Sequence, residues 1–458
     1  MTLNISPDWL PERGEGAPRG ACHPADRVTL ARVSLQVNTL DLIRAEDRET
    51  DQVRTYAILP ANSLAEWFAW NWWRLAYEPP RQGHFRTLQW RQAHQMTGIG
   101  GGWMWPPITI YSDGERVVIR ARPTPARQPG PLTYIADQAA VMPTFDYQEG
   151  IDRFVSYVLS QLEDRDSRKT DLHTLWEELA AERLDPEVAR FRQTEARLGY
   201  DPDEADPDRV TQLLSEAETL GEQAINEIAG HSSPHPITGA ALQELAARDG
   251  FHGRTADRVR LDHRPPVQRG AAIPAWRVGV ETARALRNQE RLGDGPLSNR
   301  KLAELCGVAP DAPATSTTSS AHSGDAGLAF DIAEDAGLRR LVLRSRWQTG
   351  RRFEMARLLG DSLMSDYRER LLPATRTYTY RQKMQRAFAA ELLAPAETLI
   401  NAFADGVTED AIEEAANDFQ VSSWVVTRAL INQGVLSREF LEEWDAESVP
   451  DQTTQGFP

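Results

Sequence analysis

The hydrophobic period changes along the chain, and that change limits the architecture more than any single motif does. Residues 28–59 partly alternate apolar and polar side chains, as at Leu30, Val33, Leu35 and Val37, and a second run at 53–59 follows a polar turn at 44–51. A two-residue period fits strands with one buried face. Residues 108–111 and 117–122 flank Asp113-Gly114, a pair suited to the positive-φ positions of a tight hairpin. From residue 145 the period becomes helical, with Ile151, Phe154, Val155, Val158 and Leu162 on one face. Strands first and helices afterwards specify the α+β class.

Between these regions, Ser63 followed by Glu66 has the form of a capping box for a helix carrying Leu64, Trp67, Phe68 and Leu75. Trp67, Trp70, Trp72 and Trp73 read as core rather than as a base-stacking surface. Further helices are expected at 170–182, 186–198, 207–229, 239–249, 276–291 and 298–306, then at 352–365, 380–393 and in short pieces over 408–434, with a strand at 340–344. A chain of 458 residues exceeds what one core organises. The expected division is an α+β domain of unknown role at 1–165, a helical region at 166–308, a flexible linker or insertion at 309–327 and a mainly helical domain at 328–458. The linker expectation rests on the run of small polar residues there, which bury too little surface to offset ordering entropy.

Composition narrows the setting. Hydrophobic residues at 41% and charged residues at 26% match a globular protein. Two cysteines, Cys22 and Cys306, cannot build a disulfide framework, so a cytoplasmic location is expected. Residues 1–21 lack the basic start and apolar stretch of a secretory signal, and the apolar window at 64–77 is too short and too polar to span a bilayer, so no membrane association is expected. A net charge of −16 opposes indiscriminate binding to nucleic acid.

One segment carries a specific pattern. Arg352-Phe353-Glu354-Met355-Ala356-Arg357-Leu358-Leu359-Gly360-Asp361-Ser362-Leu363 resembles the ImmA/IrrE metallopeptidase pattern R-F-x-x-A-H-E-L-G-H-x-L. Downstream, the stretch from Gln382 through Phe388-Ala389-Ala390-Glu391-Leu392-Leu393 to Pro395 is similar to that family's E-x-x-A-N-x-F-A-A-E-L-L-M-P. A weaker likeness covers Gly279, Ala283, Leu286, Arg287, Leu302, Gly307 and Val308. The resemblance spans 275–436 and leaves the N-terminal half uncovered. It implies a zincin-like fold, zinc and peptide hydrolysis.

The residues that would perform that chemistry are replaced. The motif needs two histidines one helical turn apart to grip zinc and a glutamate between them to activate its water. Aligned on the pattern, those positions hold Arg357, Leu358 and Asp361, and the third ligand falls on Gln382. Arginine is a permanent cation, leucine carries no proton and an amide is a weaker ligand than a carboxylate. No cofactor and no catalytic residue are therefore expected. Arg357 and Asp361 are expected to form an ion pair in the place of the metal, and Gly360 to mark a close helix approach.

Other groupings read more simply. Gly98 and Gly100–Gly102 lack the lysine and hydroxyl residue of a phosphate loop, and Asp201, Asp203, Asp206 and Asp208 lack the glycine of a calcium loop. Residues 338–395 hold thirteen basic and five acidic side chains, a net +8 that leaves −24 for the remainder. Arg344, Arg346, Arg351, Arg352, Arg357, Arg381, Lys383 and Arg386 are thus candidates for binding a protein partner or nucleic acid. Residues 413–434 are similar to a helix-turn-helix unit. The expected function is a non-catalytic pseudo-metallopeptidase acting as a regulator or scaffold. Its partner would be a protein, such as a co-encoded regulator or defence component, in stress response, mobile-element control or phage defence. Two alternatives stay open: a protease whose site is rebuilt from Asp361, Glu354 or Glu391 together with a distant histidine, and a DNA-binding regulator.

Overall fold

The computed structural model describes residues 1–11, 23–80, 87–125, 130–165, 169–231, 236–263, 273–314, 328–365, 369–403 and 406–436. The chain is α+β and divides into two compact units. The first comprises Met1–Pro234, Gly270–Ala272 and Thr375–Tyr380, and the second His235–Arg269, Ile273–Ala374 and Arg381–Pro458. The expected boundary at 165 thus lies elsewhere. The helical stretch expected as one region is shared out, because its first four helices belong to the first unit, where they pack on helices Ala61–Trp70 and Trp72–Tyr77 and on one another, and the rest belong to the second unit.

In the first unit, strand Leu30–Val37 lies between Leu3–Trp9 and the shorter Leu40–Asp41, and also pairs with Ala57–Pro60, all antiparallel. The Asp113-Gly114 turn joins Ile108–Ser112 to Arg116–Ala121, as the sequence implies, with Gly114 at φ +93°. Gln138–Pro143 completes that sheet, and Ala45–Asp47 sits between Gln52–Arg54 and Leu132–Tyr134 in a third. Helix Thr144–Arg165 buries Ile151, Phe154, Val155, Val158 and Leu162. It comes so close to strand Leu3–Trp9 that a Cβ on Gly150 would stand 2.6 Å from that of Leu3.

Two local expectations fail here. The helix begins at Ala61, ahead of Ser63, and Ser63 Oγ donates instead to Asp26 at 2.7 Å, while Glu66 accepts from Asn62 at 3.1 Å. The helix expected over 207–229 breaks into Pro207–Leu220 and Glu222–Ala229 at Gly221, whose φ of +116° no helix tolerates. The tryptophans behave as core residues at Trp67, Trp72 and Trp73, with Trp70 exposed. Asp201 pairs with Arg74, Asp203 with Arg192, and Asp206 caps the helix that follows it. Gly100, Gly101 and Gly102 all take positive φ in a turn whose Gly100 carbonyl accepts from Trp105 Nε1 at 2.7 Å. Burial works to raise the Glu78 carboxyl, but its contacts with His94 Nε2 at 2.8 Å and Arg74 Nε at 2.7 Å outweigh that and hold it down at about 2.

The second unit is built on an antiparallel sheet in the order Phe251–Arg254, Leu338–Val342, Ala329–Ala333, Leu371–Ala374. Its core joins Leu286, Leu302, Leu341, Met355, Leu359, Phe388, Leu392 and Leu430. Helix Ala275–Gln289 crosses helix Tyr380–Leu393 at Gly279, where a Cβ would meet the Met384 carbonyl at 2.3 Å. The start of the expected linker is ordered: Ala312 is fully buried and Arg351 grips the carbonyls of Pro313 and Ala314 at 3.1 and 2.8 Å. Residues 315–327 of that linker, and Cys22, lie outside the described residues. Among the described residues, no helix is long and apolar enough to cross a membrane.

Candidate functional site

The motif segment forms helix Gln348–Met364 and the third-ligand segment helix Tyr380–Leu393. The two helices meet at Gly360, where a Cβ would lie 2.5 Å from the Phe388 ring. The close approach anticipated for this glycine is therefore real, and Ala356, Leu359, Leu363, Ala389 and Leu393 fill the surrounding core. Tight packing at this glycine sets the polar motif positions of the two helices facing one another.

What fills the motif positions is a buried polar set. Arg357 Nη2 donates to Gln382 Oε1, and to Gln385 Oε1 at 3.3 Å. Both glutamines in turn donate from Nε2 to the Pro373 carbonyl at 3.1 Å, which ties the helix to strand Leu371–Ala374. Among the described contacts Asp361 pairs with Arg381 rather than with Arg357: Arg381 Nε and Nη2 reach its two oxygens at 2.9 and 2.7 Å. Glu369 stands 2.8 Å from the same guanidinium, and Ser365 Oγ donates to Asp361 at 2.9 Å. The physical reason is geometry. A two-pronged approach across the helices aligns a planar guanidinium with a carboxylate, which side chains one turn apart on a single helix do less well. Leu358 is packed in the core.

This donor set does not fit zinc. Both Asp361 oxygens are engaged by Arg381, Gln382 is engaged at both ends of its amide, and the other two positions offer a cation and a hydrocarbon. Among the described residues no three His, Cys, Asp or Glu side chains could share a metal ion.

The carboxylates considered for a rebuilt site hold structural posts. Glu354 accepts from the backbone amides of Arg344 and Ser345 at 2.8 and 3.1 Å, and burial nevertheless raises its carboxyl above the usual range. Glu391 accepts from Arg284 Nε at 2.7 Å and from the amide of Ala396 at 3.2 Å.

Of the eight cationic candidates, Arg351, Arg352, Arg357 and Arg381 are buried, Arg344, Lys383 and Arg386 are half-buried, and Arg346 is exposed. Arg352 is fully enclosed. It donates to the carbonyls of Gln420 at 3.1 Å and Leu297 at 2.6 Å and to Asn299 Oδ1, with burial lowering its guanidinium to about 10. Arg351 also spans to the carbonyls of Ser345 and Arg346. Arg287 donates to the carbonyls of Gly293, Gly295 and Leu392. The half of the set that is buried cannot contact a phosphate backbone, because these guanidinium groups are spent on internal carbonyls, amides and carboxylates.

The helix-turn-helix likeness takes shape as Glu409–Phe419 and Ser423–Asn432, joined through Gln420 at φ +53°. Its first helix exposes Glu409, Asp410, Glu413, Glu414 and Asp418, a charge that opposes DNA at the helix that would cross the backbone.

Sequence reasoning missed Gln385, although it stands one turn beyond Gln382 on the same face. It also missed the Pro373 carbonyl and Glu369, for which no local pattern exists. No protein-family model, no characterised protein sequence and no solved structure matches this chain at a significant level.

Proposed function

We propose that this chain is a non-catalytic regulator or scaffold built on a disarmed metallopeptidase-like unit, acting on a protein partner in the cytoplasm. The carrying observation is the substitution of a complete internal polar set, Arg357 with Gln382 and Gln385 and Asp361 with Arg381, at the four motif positions and their neighbours. A site that had merely lost one ligand would leave the remaining donors poised. Here the remaining donors are bonded to each other and to strand Leu371–Ala374. The motif resemblance supports a setting in stress response, mobile-element control or phage defence by analogy only.

The test is metal content by mass spectrometry on the purified chain beside a variant carrying Arg357→His, Leu358→Glu, Asp361→His and Gln382→Glu. The reading expects metal-free wild type and a zinc-loaded variant. Stoichiometric zinc in the wild type would overturn it and bring a rebuilt protease to the front.

A further inference from the structure

Six residues of the first unit come from far along the chain. Thr375–Tyr380 is counted with Met1–Pro234, while the residues on either side of it in sequence belong to the second unit. Its sequence, Thr-Arg-Thr-Tyr-Thr-Tyr, alternates, and the alternation is matched by burial. Thr375, Thr377 and Thr379 are enclosed, whereas Arg376 and Tyr378 between them are exposed. One face of the segment is thus turned inward, while the chain bends at Arg376 and Thr377, where Thr377 N donates to Thr375 Oγ1 at 3.3 Å, and enters helix Tyr380–Leu393 at its end.

The inward face is held by specific contacts. Thr375 Oγ1 and Thr377 Oγ1 are 2.6 Å apart, and Thr377 Oγ1 donates to Glu227 Oε2 at 3.1 Å. Since the Thr377 hydroxyl spends its proton on Glu227, it accepts from Thr375, giving a directed chain of hydroxyls ending on a carboxylate. The backbone is held too: Tyr378 N donates to the Pro80 carbonyl at 3.2 Å and Tyr380 N to the Asp113 carbonyl at 2.6 Å. Arg116 lies 4.2 Å from the centre of the Tyr380 ring. One glycine makes room: a Cβ on Gly114 would stand 3.3 Å from Thr379 Cβ.

The geometry points to the first unit as a reader of short, bent peptides, with the strap Thr375–Tyr380 as its occupant in cis. The site takes a hydroxyl at the Thr377 position, bonded by Glu227, a small side chain at the Thr379 position beside Gly114, and an aromatic ring over Arg116. Main-chain bonds to Pro80 and Asp113 supply affinity that does not depend on side chains. A partner presenting such a segment competes with the strap. This inference stands apart from the reading of the motif helices and does not need it.

The experiment uses the full chain and a fluorescent peptide copying residues 374–381, with a scrambled copy as control. Wild type, its groove filled at high effective concentration, binds the peptide weakly. A full-length variant with Thr375→Gly, Thr377→Gly and Thr379→Gly binds the copy at least about tenfold more tightly than wild type does. Adding Gly114→Val to that variant abolishes the gain. A folded strap variant that ignores the peptide, or that binds copy and scramble alike, overturns the proposal. Should the strap variant fail to fold, hydrogen exchange on wild type decides: the amides of Tyr378 and Tyr380 exchange faster in excess copy peptide than in excess scramble, and equal rates refute the competition.

Discussion

Asp361 and Arg381 face each other across two packed helices, joined by bonds of 2.9 and 2.7 Å and nearly closed to solvent. Where the motif resemblance leads one to look for a metal and its water, the chain has a fixed ion pair. A buried pair of this kind adds little over a well-packed apolar pair, yet breaking it is costly because one charge is stranded.

Asp361→Ala and Arg381→Ala should therefore each destabilise the chain by about 3–5 kcal/mol, whereas the double change to Leu at both positions should cost less than either. Urea denaturation of the four proteins measures this. Equal and additive losses would show that the two side chains do not act as a pair.

Gly360 and Gly279 sit at helix crossings too tight for a side chain. Alanine at an ordinary helical glycine gains roughly 0.5–1 kcal/mol; here the sign should reverse, with a loss of about 1–3 kcal/mol from overpacking. Gly360→Ala should be partly rescued by Phe388→Leu, since the Phe388 ring is what the new methyl meets. Thermal unfolding monitored by circular dichroism checks both.

Arg352 and Arg346 test whether the arginines act as staples or as a binding face. Arg352→Ala leaves the Leu297 and Gln420 carbonyls and Asn299 Oδ1 without their donor, at about 1–3 kcal/mol for each group left buried. Arg346→Ala, on the surface, should stay within about 0.5 kcal/mol of wild type. Comparable, small effects of the two changes on stability, with loss of duplex binding in fluorescence anisotropy, would restore the nucleic-acid reading.

Two glutamates, Glu78 buried and Glu354 half-buried, should pull the pH dependence of stability in opposite directions. The Glu78 carboxyl is lowered from 4.5 to about 2, so its contribution is present above the unfolded value and is lost as pH falls from about 4.5 toward 2. Glu354 is raised above 4.5, so its contribution is full below that value and fades as pH rises through its folded value. Glu78→Gln should flatten the acid limb of the stability profile and Glu354→Gln the limb just above it. Chemical denaturation across pH 3 to about 7 reads both, and an unchanged profile in either variant would refute its assignment.

Much of the local structure was legible in the sequence, because the signals were themselves local. Helices Pro186–Leu198 and Gly239–Asp249 start where Asp185 and Thr238 cap them, and the Asp113-Gly114 hairpin follows from what its turn demands. Phe251–Arg254 and Leu371–Ala374 were missed for a physical reason. The first is four residues long and only half-buried on alternate positions, and the second is buried throughout and contains Pro373, so neither shows a clear period. The candidate site was legible in its positions and not in its bonds. Gly360, Phe388 and the four replaced residues could be placed only through the motif resemblance, and Asp361 found its counter-ion twenty residues away on another helix. Burial of Arg351 and Arg352 was equally invisible, since an arginine that ties up loop carbonyls looks the same in a sequence as one bathed in water.

The strap also fixes the order in which the protein can be made. The groove formed by Asp113, Gly114 and Glu227 waits for residues that end at position 380 of 458. On the ribosome, the N-terminal unit cannot close until most of the second unit has been synthesised. A nascent chain stalled short of that point lacks the Thr377 hydroxyl that bonds Glu227 and the main-chain bonds to Pro80 and Asp113.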